Sequence, residues 1–139
     1  MLMGIHVPFE RGLAGHSDAD VMLHALMDAL LGAAGLGDIG LHFPDTGSEY
    51  KDADSIHLLE RTMDELRSRG WRVANADVCL IGEKPKLAPH RQAMRERVAP
   101  LLGIEPEALN VKATTTESLG FTGRGEGLAA QAVALLERD

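Results

Sequence analysis

At 139 residues, with 45% apolar and 25% charged side chains, the chain has the composition of one globular domain large enough to bury a core. A net charge of −7, with no basic stretch standing out, argues against nucleic acid as the main partner. One cysteine excludes a disulfide scaffold and points to a reducing, cytoplasmic setting; no apolar run suits a bilayer span, and the opening MLMGIHVPFE lacks the layout of a secretion signal. In chain order, residues 1–8 read as a short strand or the tail of one. Ser17 is the candidate N-cap of a helix over 18–34, with Asp20 at the third position of a capping box and Gly35 and Gly37 ending it. Residues 42–54 form a loop around Pro44 and Gly47. A helix over 55–69 places Ile56, Leu59, Met63 and Leu66 on one face, and Gly70 stops it. Residues 71–81 are strand-forming, with Cys79 expected as an inert buried thiol. A second amphipathic helix covers 89–102 with Met94, Val98 and Leu101 inward; strands follow over 109–113 and, alanine-rich, 128–136. With no repeat or linker, this alternation predicts a single α/β domain over 1–139, an α+β sandwich of one mixed sheet with helices mostly on one face.

The stretch GHSDADVMLHALMDALLGAAGLGDIG carries the first chemical signal. Asp20, His24 and Asp28 recur every four residues and are expected to share one face of an otherwise apolar helix. Such a line is either a solvated edge or the wall of a site. His16 just before the helix, near its positive end, and Asp38 between glycines favour a metal or phosphate site. In NVKATTTESLGFTGRGEG, a strand ends in Thr114, Thr115 and Thr116. Their hydroxyls and nearby N–H groups suit phosphate oxygens, Glu117 suits a hard cation, and Arg124 suits a bidentate phosphate contact. The same residues also make an ordinary strand and turn. Between these signals, GEKPKLAPH is either a solvated loop or a rigid one whose backbone faces a planar base. No Ser-His-Asp or activated-Cys pattern calls for a covalent nucleophile.

In this order and at these separations, AGHSDADVMLHALMDALLGAAGLGDIG, HFPDT, EKPKL and VKATTTESLGFTGRGEG resemble the 2-C-methyl-D-erythritol 2,4-cyclodiphosphate synthases, the cyclising lyases of the non-mevalonate isoprenoid route. The resemblance covers nearly the whole chain. It implies a homotrimer with active sites shared between neighbours. It implies conversion of 4-diphosphocytidyl-2-C-methyl-D-erythritol 2-phosphate to the cyclic diphosphate with release of CMP. It also implies a Zn²⁺-like ion on the terminal phosphate and a second ion, Mg²⁺ or Mn²⁺, on the diphosphate. Residue by residue, the resemblance makes His24 the helix ligand of the zinc site. His16 and Ser17 contact the phosphate end, with His16 a transition-state stabiliser. Asp38, Ile39 and Gly40 meet the methylerythritol hydroxyls, and Phe43, Pro44, Asp45, Thr46 and Gly47 lie beside them, Gly47 standing where an acidic residue is common. Gly82, Glu83, Lys84, Pro85, Lys86, Leu87 and Ala88 form the cytidine loop. Thr114, Thr115, Thr116 and Glu117 form the phosphate-binding strand end, with Thr115 the second stabiliser and Glu117 the second-metal ligand. Phe121 and Arg124 fall near the substrate and the trimer axis. Asp28, by position alone, orients the site.

One departure bears on the metal. The family's Gly-x-Asp-x-His strand has no counterpart in these residues, which open on a segment resembling the family's second strand and contain no Asp-x-His pair. His24 is then the one matched zinc ligand, with His6 a weak substitute. The expectation is an incomplete zinc site, with a truncated, catalytically weak nucleotide-binding trimer as the alternative function. A helix apolar around most of its girth over 21–34 and a final strand apolar on both faces suggest burial against other subunits.

Overall fold

The computed structural model describes residues 1–8, 20–44, 54–83, 85–124 and 127–138. Its first segment is a tight turn in place of the expected strand. Leu2 and Ile5 exchange both N–H···O bonds at 2.9 Å, and Met3 and Gly4 between them have φ of 49° and 72°. Two successive positive φ values define a type I′ turn. Glycine suits its second position twice over, because a Cβ on Gly4 would also lie 2.7 Å from Ile56 Cδ1. The pairing ends at that single bridge, so no strand develops.

Helix α1 (Val21–Ala33) begins three residues later than the sequence suggested. Its cap is Asp20, not Ser17, which lies outside the described residues; the Asp20 carboxylate accepts the Leu23 N–H at 3.0 Å. The same carboxylate accepts the Met3 and Gly4 N–H groups at 2.9 and 2.8 Å, so it ties the opening turn to the helix start. A one-turn helix α2 (Ile39–His42) follows, capped by Asp38. Helix α3 (Ser55–Ser68), capped by Asp54, buries Ile56, Leu59, Met63 and Leu66 as its spacing predicts. Strand β1 (Trp71–Ile81) has the predicted bounds. A 3₁₀ turn (Ala88–His90) leads into α4 (Arg91–Leu102), which buries Met94 and Val98 and leaves Leu101 half-buried against the core. Strand β2 (Leu109–Thr114), one-turn helix α5 (Gly120–Gly123) and strand β3 (Ala129–Arg138) complete the described elements.

The sheet is mixed, in the order β2-β1-β3, with β1 parallel to β2 and antiparallel to β3. A register shift between Val73 and Asn75 lets Val73 and Ala76, three apart, both face inward with Val78 and Leu80. Helix α1 crosses β3 and β1, α3 packs on α1 and β1, and α4 packs on β2. The core therefore fills one face of the sheet, where each fully buried leucine or methionine contributes about 1.5–3 kcal/mol. The predicted α+β layering holds. The opposite face carries Asp77, Cys79, Asn110, Lys112, Val133 and Leu135, with Val133 and Leu135 72% and 55% exposed. Cys79 is thus half-buried on the face opposite the described helices and not in the core, because its neighbours Val78 and Leu80 take the inward positions. Helix α1 is less bare than expected, since β3, β1 and α3 of its own chain cover most of it.

Candidate active site

The parallel strands β1 and β2 end side by side, which is where open sheets with parallel strands present ligand crevices. The Gly82 N–H donates to the Thr114 carbonyl at 3.0 Å, joining the first residue after β1 to the last of β2. Beyond Thr114 the chain turns sharply. The Leu119 N–H donates to the Thr116 carbonyl at 3.0 Å across Glu117 (φ 52°) and Ser118 (φ 67°), a second type I′ turn. Neither central residue is glycine, so the conformation costs about 1–2 kcal/mol per residue and needs support from outside. The Thr115 hydroxyl accepts the Glu117 N–H at 3.2 Å. The Thr116 hydroxyl donates to the Leu119 carbonyl and lies 3.0 Å from the buried Thr122 hydroxyl. Gly123 sits against the far side of the turn, where a Cβ would lie 2.2 Å from the Ser118 carbonyl carbon. The Ser118 N–H donates to Glu83 at 3.0 Å. Two segments read separately in the sequence, the Gly82–Glu83 loop and the threonine-rich strand end, are therefore one hydrogen-bonded unit. Thr114, Thr115 and Glu117 are exposed, Phe121 is 51% exposed, and Pro85, Lys86, Leu87 and Ala88 continue the loop, with Leu87 buried as its anchor.

A second group forms around α1 and α2. Here the predicted line of Asp20, His24 and Asp28 does not make one site. Asp20 is 1% exposed and its carboxylate is taken up by three backbone donors. Burial pushes its carboxyl above the ordinary carboxylate range, against the pull of hydrogen bonds from Gly4, Leu23 and Met3. Asp28 accepts the Ile39 N–H at 2.9 Å, so it fixes the start of α2, and with it Asp38, Ile39 and Gly40. Asp38 itself accepts the Leu41 N–H at 2.9 Å. His24 has a hydroxyl neighbour, its Nε2 3.3 Å from Ser55 Oγ at the start of α3. Sequence spacing gave no sign of that pair, 31 residues apart. The His42 ring meets the Leu36 carbonyl at 2.7 Å, and the Arg61 guanidinium lies 5.0 Å from the centre of the Phe43 ring. A cavity of about 300 Å³ opens beside His42 and Phe43, but Arg61, Thr62, Asp64, Glu65 and Ser68 of α3 supply most of its wall, and neither His24 nor Thr115 reaches it. His16, Ser17, Asp45, Thr46, Gly47 and Lys84 lie outside the described residues.

Among the described residues no three His, Cys, Asp or Glu side chains come together as a metal-binding group. A catalytic zinc centre with three protein ligands does not fit them, since the two carboxylates nearest His24 in sequence serve backbone donors. Glu117 suits a different mode, in which one carboxylate and the substrate's own phosphates share a Mg²⁺-like ion.

A parallel strand pair that ends in a hydroxyl-rich type I′ turn, bound to a proline-containing loop, defines an α+β protein with a candidate ligand site at its strand ends. The YgbB family model matches residues 1–137, and the chain belongs to that family. It is 60% identical over 136 residues to the protein named 2-C-methyl-D-erythritol 2,4-cyclodiphosphate synthase in Moorella thermoacetica, covering 98% of this chain and 83% of that one. The bifunctional IspDF of Campylobacter jejuni superimposes with a TM-score of 0.92 at 45% identity, over 100% of this chain and 38% of that longer one. A 2C-methyl-D-erythritol-2,4-cyclodiphosphate synthase in its CDP-bound form gives 0.84 at 36% identity, over 99% and 89%.

Proposed function

We propose that this chain cyclises 4-diphosphocytidyl-2-C-methyl-D-erythritol 2-phosphate to 2-C-methyl-D-erythritol 2,4-cyclodiphosphate and releases CMP. The identity to a synthase of that name along nearly the whole chain carries the reading. The joined loop and turn at the strand ends support it, because a cytidine diphosphate needs a base site and a phosphate site side by side. A relative solved with CDP makes the same ligand class reasonable here.

In the reaction, an oxygen of the substrate's 2-phosphate attacks the β-phosphorus in line. The new P–O bond closes the ring, the bond to the α-phosphate oxygen breaks, and CMP leaves with that electron pair. The substrate brings its own nucleophile, so the protein's work is positioning and charge stabilisation. Residues 82–88 hold the base, largely through backbone groups. Thr114 and Thr115 offer hydroxyls at the strand end, with Thr115 beside the developing charge, while the Thr116 hydroxyl holds the turn next to them. Asp38, Ile39 and Gly40 receive the methylerythritol hydroxyls from a turn that Asp28 fixes. His16 and Ser17 are assigned to the phosphate end by resemblance. A divalent cation, when bound, would neutralise diphosphate charge, with Glu117 as its protein carboxylate. His24 is the protein ligand proposed for a second, Zn²⁺-like ion, which would neutralise terminal-phosphate charge when bound; among the described residues no three-ligand group completes that site. The assembly we propose is a homotrimer with shared sites. Val133 and Leu135 support it, exposed on the sheet face that none of the described helices covers. Among the described residues no helix is long and apolar enough to cross a membrane. Turnover of the cytidyl substrate, followed by phosphorus NMR, tests the reading.

A further inference from the structure

We propose that Glu83 is a positioning residue that holds the phosphate-receiving turn in shape and couples it to the base-binding loop. The inference rests on the nucleotide-binding reading above and assigns Glu83 a part that reading does not contain.

The turn at residues 116–119 is built from the wrong residues for its geometry. Type I′ turns favour Asn and Gly at the two central positions, because both φ values are positive. This one has Glu117 and Ser118, at 52° and 67°. Something outside the turn must hold it. Gly123 closes one side by lying against the Ser118 backbone, where no side chain could fit. Glu83 closes the other, its carboxylate accepting the Ser118 N–H at 3.0 Å from 35 residues away. The Glu117 N–H is already engaged by Thr115. Without Glu83, the Ser118 donor would lose the partner that opposes relaxation to negative φ.

The fold uses the same device elsewhere. At the opening type I′ turn, Asp20 accepts the Met3 and Gly4 N–H groups and so joins two distant segments. At the strand ends the two segments joined are the ones assigned to base and phosphates. A carboxylate beside a polyanion is electrostatically unfavourable, so charge does not account for its place. Its acceptor oxygen does.

The test separates acceptor from charge. In calorimetric titrations with CDP and Mg²⁺, Glu83→Ala should lose about tenfold in affinity, the upper end of what one ordinary hydrogen bond contributes. Loss for CMP, which lacks the β-phosphate, should be smaller. Glu83→Gln keeps an acceptor oxygen without the charge and should bind CDP as the wild type does. Glycine adopts positive φ without strain, so adding Ser118→Gly to Glu83→Ala should restore CDP affinity. Amide exchange at Ser118 should quicken in Glu83→Ala and stay slow in Glu83→Gln, with no nucleotide present. If the wild type fails to bind CDP, the nucleotide reading fails, while the exchange result still judges the hold on the turn. Three results would overturn the proposal: unchanged or tighter CDP binding by Glu83→Ala, equal losses in the Ala and Gln variants, or no rescue by Ser118→Gly.

Discussion

Replacing Asp20 with alanine deletes one small side chain and orphans three backbone donors. The Leu23 N–H at 3.0 Å is the helix cap, and losing such a cap costs about 1 kcal/mol. The Met3 and Gly4 N–H groups, at 2.9 and 2.8 Å, lie in and at the edge of the core, where a donor without a partner costs about 1–3 kcal/mol each. Against these stands the burden of holding a carboxylate at 1% exposure, which alanine removes. The net loss should be on the order of 3 kcal/mol, a large share of a stability of about 5–15 kcal/mol. Urea denaturation at fixed protein concentration reads it as a lower midpoint with an unchanged slope. Asp20→Asn keeps the oxygen that serves Met3 and Leu23 but turns an amide toward the Gly4 donor, so it should fall between wild type and alanine. The acid limb gives a second handle. Because burial raises the Asp20 carboxyl in the folded state, the stability linked to it is present at low pH and lost as pH rises through the raised value. Asp20→Asn should abolish that slope. A loss below about 1 kcal/mol for Asp20→Ala would refute the argument that this one carboxylate ties the opening turn to α1.

The Asp77 carboxyl should behave in the opposite sense. Burial works to raise it, but hydrogen bonds from Lys112 and Asn110, with the Lys112 charge, outweigh that and lower it. Its contribution should be complete above about pH 4 and vanish as pH falls through the depressed value, so the stability gap between wild type and Asp77→Asn should close in acid. A gap that widens in acid would contradict the assignment. Sedimentation equilibrium should give three times the 14.9 kDa chain mass, and Leu135→Lys, on the uncovered sheet face, should lower it; a monomeric wild type at micromolar concentration would remove the shared-site assembly.

Much of this fold was legible because its signals are local. The run of residues 71–81 is rich in β-formers and ends at Gly82, and β1 has those bounds. The 3.6-residue spacing of Ile56, Leu59, Met63 and Leu66 marked the buried face of α3. The position of Cys79 was within reach too, since strand parity with Val78 and Leu80 inward puts it outward. The misreading of Asp20 has a definite cause. Spacing of four implies a shared face only inside a helix, and Asp20 stands one residue before α1 with extended backbone, where donors from Met3 and Gly4 can reach it. Helices α2 and α5 span one turn each and carry no periodicity to detect. The junctions that build the site are long-range: His24 with Ser55, Gly82 with Thr114, and Glu83 with Ser118. Residue types suggested phosphate chemistry for the threonine run, but only the parallel pairing of β1 and β2 brings the loop after β1 against it.

The central claim is that the substrate's own phosphate, and not water, attacks the β-phosphorus. The most direct measurement is phosphorus NMR of the chain incubated with 4-diphosphocytidyl-2-C-methyl-D-erythritol 2-phosphate, Mg²⁺ and Zn²⁺. Cyclic diphosphate and CMP should appear together in equal amounts, with no linear diphosphate product. Hydrolysis to an open-chain phosphate, or binding of the nucleotide without any turnover, would contradict it.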